Sequence, residues 1–192
     1  MLKNTGLTSD SQGPLEKSSG KQFHHYQLSD SHSNVLKAIS QNPGIRYREL
    51  ARQTGFANGV LTYHLNILEQ IGSINKFRHG NITRYYIINI PSQDLNVISH
   101  LRVHSEKDII LFIFDHDFCT FNEIVEYSRK APSTISWHLK RLCQDGIVAV
   151  HSGEYNLYRI IDKRLVNLLF IKYKESFTDK VVNNFVDISD EL

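Results

Sequence analysis

The chain contains itself twice. Shifted by 74 positions, the stretch from Leu61 to Ile74 falls on Ile135 to Val148 and brings His64, Leu65, Leu68 and Gly72 onto His138, Leu139, Leu142 and Gly146. The same shift pairs Tyr47, Glu49 and Leu50 with Phe121, Glu123 and Ile124, and Val35 and Ile39 with Ile109 and Ile113. One deleted residue then carries Gly80 and Tyr85 onto Gly153 and Tyr158. A repeat of apolar positions at helical spacing means two copies of one folding unit, each with a small core. At 192 residues the chain has room for two such modules and little else.

Each copy predicts the same elements. In the first, Ser31 is a candidate cap for a helix that stops at Asn42-Pro43-Gly44. A second helix covers 46–54, Gly55 and Phe56 make a tight turn, and a third helix runs over 58–71. Two strands, 74–78 and 82–88, then flank a His79-Gly80-Asn81 turn. In the second copy Ser105 begins a capping-box-like start, helices fall near 105–115, 121–128 and 132–145, and strands flank Ser152-Gly153. Three helices and a β-hairpin make a winged helix-turn-helix. The expected class is therefore mainly α with small β-hairpin wings: a tandem winged helix-turn-helix plus a C-terminal amphipathic helix.

The expected organisation is a flexible tail over 1–29, module one over 30–91, a connecting helix over 92–103, module two over 104–161, and a helical segment over 162–192. The tail is rich in Ser, Gly, Lys and Gln and too poor in large apolar residues to offset the entropy of ordering. Leu95, Ile98 and Leu101 share one face of the connector, and Leu165, Leu168, Leu169, Tyr173 and Phe177 recur along the last helix.

The stretches Glu49-Leu-Ala, Leu61-Thr-Tyr-His-Leu, Leu68-Glu-Gln-Ile-Gly-Ser-Ile and Arg84-Tyr-Tyr, with Ser133-Thr-Ile-Ser-Trp-His-Leu-Lys-Arg-Leu in the second copy, resemble archaeal transcriptional regulators with two winged helices of the ArsR/MarR type. The resemblance covers residues 31–161 and implies a DNA-binding regulator. The second copy departs from the first at Arg129 and Lys130, which replace Gly55 and Phe56, so its turn is expected to be built differently.

With Leu61, Leu65 and Leu68 facing inward, Gly59, Thr62, Tyr63, Asn66 and Gln70 share the opposite face of the third helix, with Asn58 at its start. Such a face can enter a major groove roughly 12 Å wide, where Asn66 or Gln70 can pair with adenine and Thr62 can meet a phosphate or a thymine methyl. The second copy presents Ser133, Ser136, Trp137, Lys140 and Gln144, flanked by Arg141. Lys140 and Arg141 suit phosphates. Trp137 suits a sugar and base contact, packing on its own wing, or a protein interface. His64 and His138 fall on the core side.

Charge separates the copies. Residues 31–103 hold eight Lys or Arg against three acids, whereas residues 104–192 hold eleven against fourteen. Lys76, Arg78, His79 and Arg84 make the first wing basic, and Arg46 and Arg48 add charge at the second helix. Module one is thus expected to supply most of any DNA affinity, with surface solubility as the alternative for any single cation.

Other classes fit less well. Cys119 and Cys143 stand in no CxxC pair, and neither His100 with His104 nor the run Asp115, His116, Asp117 and Cys119 makes a full metal site. No cofactor, metal or catalytic motif is expected, and no enzyme. The N-terminus has no signal-peptide core and no window spans a membrane, so a cytoplasmic, nucleoid-associated protein is expected. The expected partner is double-stranded DNA, with a homodimer as the assembly and transcription machinery as a further candidate. Two rival readings stay open: a winged-helix interaction scaffold, and a chromatin protein tolerant of sequence.

Overall fold

A computed structural model of the chain describes residues 29–177. The expected tail and the end of the last segment lie outside the described residues. Module one is built from α1 (Asp30–Gln41), β1 (Ile45–Arg46), α2 (Tyr47–Thr54), α3 (Asn58–Gln70), β2 (Ile74–His79) and β3 (Ile82–Ile87). After α4 (Ser92–Leu101), module two repeats the order with α5 (His104–Asp115), β4 (Cys119–Thr120), α6 (Phe121–Ser128), α7 (Pro132–Gln144), β5 (Val148–His151) and β6 (Leu157–Ile160). The described chain closes with α8 (Lys163–Phe177). This is a tandem winged helix-turn-helix fold.

Each wing hairpin gains a third strand that the sequence pattern does not announce. The antiparallel orders are β1-β3-β2 and β4-β6-β5, and the two-residue edges pair Arg46 with Arg84 and Thr120 with Leu157. These edges sew the start of each helix-turn-helix to its wing. Two expected caps are corrected. Ser29, not Ser31, caps α1 by accepting from the His32 amide, and α5 begins at His104 after Val103 with no side-chain cap.

The second turn is also corrected. Arg129 adopts φ 55°, as Gly55 adopts φ 71°, so both turns use the same left-handed residue after the second helix. The second copy accepts a side chain in a conformation that costs a non-glycine residue about 1 kcal/mol.

Val35, Ile39, Leu50, Leu61, Leu65 and Leu68 form the first core. The second core is larger, because it recruits α4, α8 and the outer face of the first sheet through Tyr86. Tyr85 faces module one's own core, while Tyr86, one residue on, joins the second core, where its hydroxyl pairs with Ser99 Oγ at 2.7 Å. The first sheet is covered on both faces. On α8 the buried face is Val166, Leu169 and Phe177, whereas Leu168, expected inside, is 60% exposed. Arg102 ties the parts together: Nε donates to Pro43 O (3.1 Å), Nη2 to Ser176 Oγ (3.2 Å), and Nη1 lies 3.6 Å from Glu49.

Candidate nucleic-acid interface

The apolar stripe of α3 is buried at Leu61, Leu65 and Leu68, and this fixes which side faces out. Asn58, Gly59, Thr62, Tyr63, Asn66 and Gln70 are all exposed. The helix is held by Tyr47 from the start of α2, whose hydroxyl donates to Asn58 O (2.6 Å) and meets Thr62 Oγ1 (3.0 Å). Sequence reasoning overlooked Tyr47 in this role. The signal was present in the repeat, where the matching residue is Phe121 and has no hydroxyl to give.

His64 lies under this face. Its ring meets His32 edge-on at 4.5 Å and Phe56 at 5.2 Å. Burial, and then the His32 charge, push its pKa below the ordinary histidine value. It is a packing residue in this structure.

In the first wing, Lys76 forms an ion pair with Glu69 of α3, and Arg78 Nε donates to Gly80 O (3.2 Å). The side chain of His79 lies outside what is described. Arg46 is half-buried and Arg48 exposed at the start of α2. Arg84 corrects the expected wing chemistry. It is fully buried, with Nη1 donating to Gly44 O (2.9 Å), and cannot meet a phosphate at the surface. The reason is the covered outer face of the first sheet, which draws Arg84 inward along with Tyr86. Burial, followed by the neighbouring Arg46, lowers its pKa to about 10.

On α7, Ser133, Ser136, Trp137 and Lys140 are exposed over a buried Ile135, His138, Leu139 and Leu142. Arg141 is turned inward, a second correction. Its Nη1 donates to Glu106 Oε1 (2.9 Å), and its guanidinium lies 4.7 Å from the Trp137 ring centre. Glu106, fully buried, also meets His138 Nδ1 (3.1 Å) and His100 Nδ1 (2.7 Å), while His100 Nε2 meets Asp145 (2.7 Å). One carboxylate thus ties α4, α5 and α7 together. A Cβ added at Gly80 would stand 3.8 Å from Arg141 Nη2, so the tip of the first wing lies beside α7.

The metal candidates are dispersed. His100 ends α4 while His104 starts α5 and pairs with Asp108 (3.3 Å), so the two histidines do not share a helix face. Asp117 pairs with Lys163 (2.7 Å) and His116 Nδ1 meets Phe112 O (2.8 Å). Among the described residues no group of three or more His, Cys, Asp or Glu could hold a metal ion, and no helix is long and apolar enough to cross a membrane.

Two paired helices and a wing, twice over and joined by α4, define a tandem winged helix-turn-helix protein. Residues 29–97 match a family model described as an N-terminal HTH domain, and residues 107–150 match the bacterial regulatory protein arsR family. The chain therefore carries two helix-turn-helix domains in tandem, the second of the arsR type. It is 30% identical over 148 residues to an uncharacterized HTH-type transcriptional regulator of Methanocaldococcus jannaschii, a match covering 77% of this chain and 32% of that protein. The chain spans about a third of that relative's length.

Proposed function

We propose that the chain is a double-stranded DNA-binding transcription regulator, with α3 in the major groove and the first wing on the phosphate backbone. The observation that carries this reading is the exposed polar face of α3, set over a fully buried apolar stripe and held by Tyr47. The arsR-type match and the relative's name support the same class. Asn66 and Gln70 are the base readers, Asn58 and Thr62 flank them, and Tyr63 offers an aromatic edge to sugar or thymine methyl. Arg48 and Arg78 hold the backbone, with Lys140 of the second module. Such a protein works at the nucleoid. Two-fold symmetric operators suit a homodimer, for which exposed Leu168 and Ile171 on α8 offer an apolar contact.

The test separates reading from attraction. Affinity for one selected site and one scrambled site is measured at fixed salt for wild type, Asn66→Ala and Lys140→Ala. Asn66→Ala is expected to cost about 1 to 3 kcal/mol on the selected site and much less on the scrambled one. Lys140→Ala is expected to weaken both alike. Equal losses on both sites for Asn66→Ala, with the fold intact, would remove base reading and leave a sequence-tolerant chromatin protein.

A second reading concerns module two alone. Trp137 and Tyr155 are 54% and 68% exposed, and the second half carries more acids than bases. These features favour a protein surface, such as a component of the transcription machinery, over a second groove contact.

A further inference from the structure

We propose that the junction of module one, α4 and α8 binds a small oxyanion, a phosphate or carboxylate gripped bidentately by the Nε and Nη2 edge of Arg84. The side chain is 0% exposed and commits Nη1 to Gly44 O at 2.9 Å. Its Nε and Nη2 are buried and meet no hydrogen-bond partner among the described residues. Those two N–H groups point the same way and form the edge that takes two oxygens of one carboxylate or phosphate. A buried guanidinium with this edge unused is costly, because it gives up water for one neutral acceptor.

The surroundings add positive charge. Arg46 stands opposite Arg84 in the sheet register, and Arg102 closes the junction from α4. Both guanidiniums act on Arg84, and Glu49 lies among them. Their positive potential at Arg84 favours an anion over a neutral ligand.

The second copy supplies an internal control. There Leu157 stands where Arg84 does and Thr120 replaces Arg46, yet the sheet forms with the same pairing. The winged fold does not need a guanidinium at this position. The site is also distinct from the groove-reading surface, since a fully buried side chain cannot reach the backbone of a duplex. The helix α8 is broken at Tyr173 (φ −119°, ψ 18°), before Ser176 and Phe177 cover Arg102.

The experiment uses the full chain without DNA, so its failure leaves the DNA-binding reading untouched. Melting temperature is followed against inorganic phosphate, and separately against acetate, with chloride holding ionic strength constant. Wild type is expected to show a saturable rise of about 3 to 5 °C at tenfold excess over Kd with one or both anions. The two arms separate a phosphoryl from a carboxylate ligand. Arg84→Leu, which installs module two's residue, is expected to abolish the rise. Arg84→Lys keeps the charge without the two-pronged edge and is expected to weaken binding at least tenfold. If neither variant folds, line broadening of the phosphorus-31 signal by wild type, reversed by sulfate, carries the test. No saturable rise in wild type, or an equal rise in Arg84→Leu, would overturn the site and leave Arg84 as a support for the wing.

Discussion

The two modules share a backbone, and one exchange of residues beneath the third helix of each sets them apart. In module one the first helix sets His32 against His64, ring to ring at 4.5 Å. In module two the equivalent residue is Glu106, which accepts from Arg141 at 2.9 Å and meets His138 at 3.1 Å and His100 at 2.7 Å. The first module thus rests α3 on aromatic packing and the Tyr47 hydroxyl, with its polar face outward. The second pins α7 through a buried carboxylate and turns the Arg141 guanidinium inward. A duplicated fold can keep its architecture while one exchanged side chain ties a helix into the frame.

The largest expected effect follows from that carboxylate. Glu106→Ala removes the buried carboxylate that Arg141, His138 and His100 share, and breaking a buried ion pair costs about 3 to 5 kcal/mol. Chemical denaturation measures it. His32→Ala, the matching change in module one, is expected to cost far less, because no ion pair depends on it. Equal losses would dissolve the contrast between the two helices.

The wings give the next contrast. Arg78 stands near the tip of the first wing, and Arg159 is exposed on the second, opposite Ala149 in the sheet. Arg78→Ala is expected to reduce the slope of log affinity against log salt by about 1, and Arg159→Ala to leave it unchanged. Similar slopes for both would give module two an equal share of the phosphate backbone.

The repeat made the helices and the exposed face of α3 legible, because inward leucines three and four residues apart leave little choice of orientation. It failed where one module covers the other. Arg84 reads as an outward wing cation by strand alternation, but α4 covers that side of the sheet, and three successive residues, Arg84, Tyr85 and Tyr86, are buried. The Glu106 network escaped for a similar reason. Its members come from α4, α5 and α7, and spacing along the chain carries no trace of their meeting. Arg129 misled in the opposite direction, since a residue with a side chain occupies the turn that glycine would have signalled.

That turn gives a smaller test. No atom lies within 4 Å of a Cβ built at Gly55, so Gly55→Arg meets only the conformational cost of positive φ, about 1 kcal/mol. Arg129→Gly is expected to gain less than that, because the unfolded chain also gains freedom. Denaturation midpoints of both variants check the pair, and a neutral Gly55→Arg would show that the turn tolerates side chains in either copy.

The smallest effect is a pH dependence carried by His64 in module one. The folded pKa of His64 lies below its unfolded value of 6.5, first through burial and then through His32. As pH falls through about 6.5 the unfolded chain binds a proton that the folded chain resists, so stability drops until the folded value is passed. Above that window the group costs nothing. His64→Asn removes the proton site and should flatten the fall in melting temperature between pH 7.5 and 5.5, whatever it does to stability at neutral pH. In module two the equivalent of His32 is Glu106, so His32→Glu places a carboxylate beside His64 and is expected to reduce the same fall, because the His32 charge that lowers the His64 pKa is replaced by an opposite one. A fall that persists unchanged in His64→Asn would place the acid-sensitive contact elsewhere in the chain.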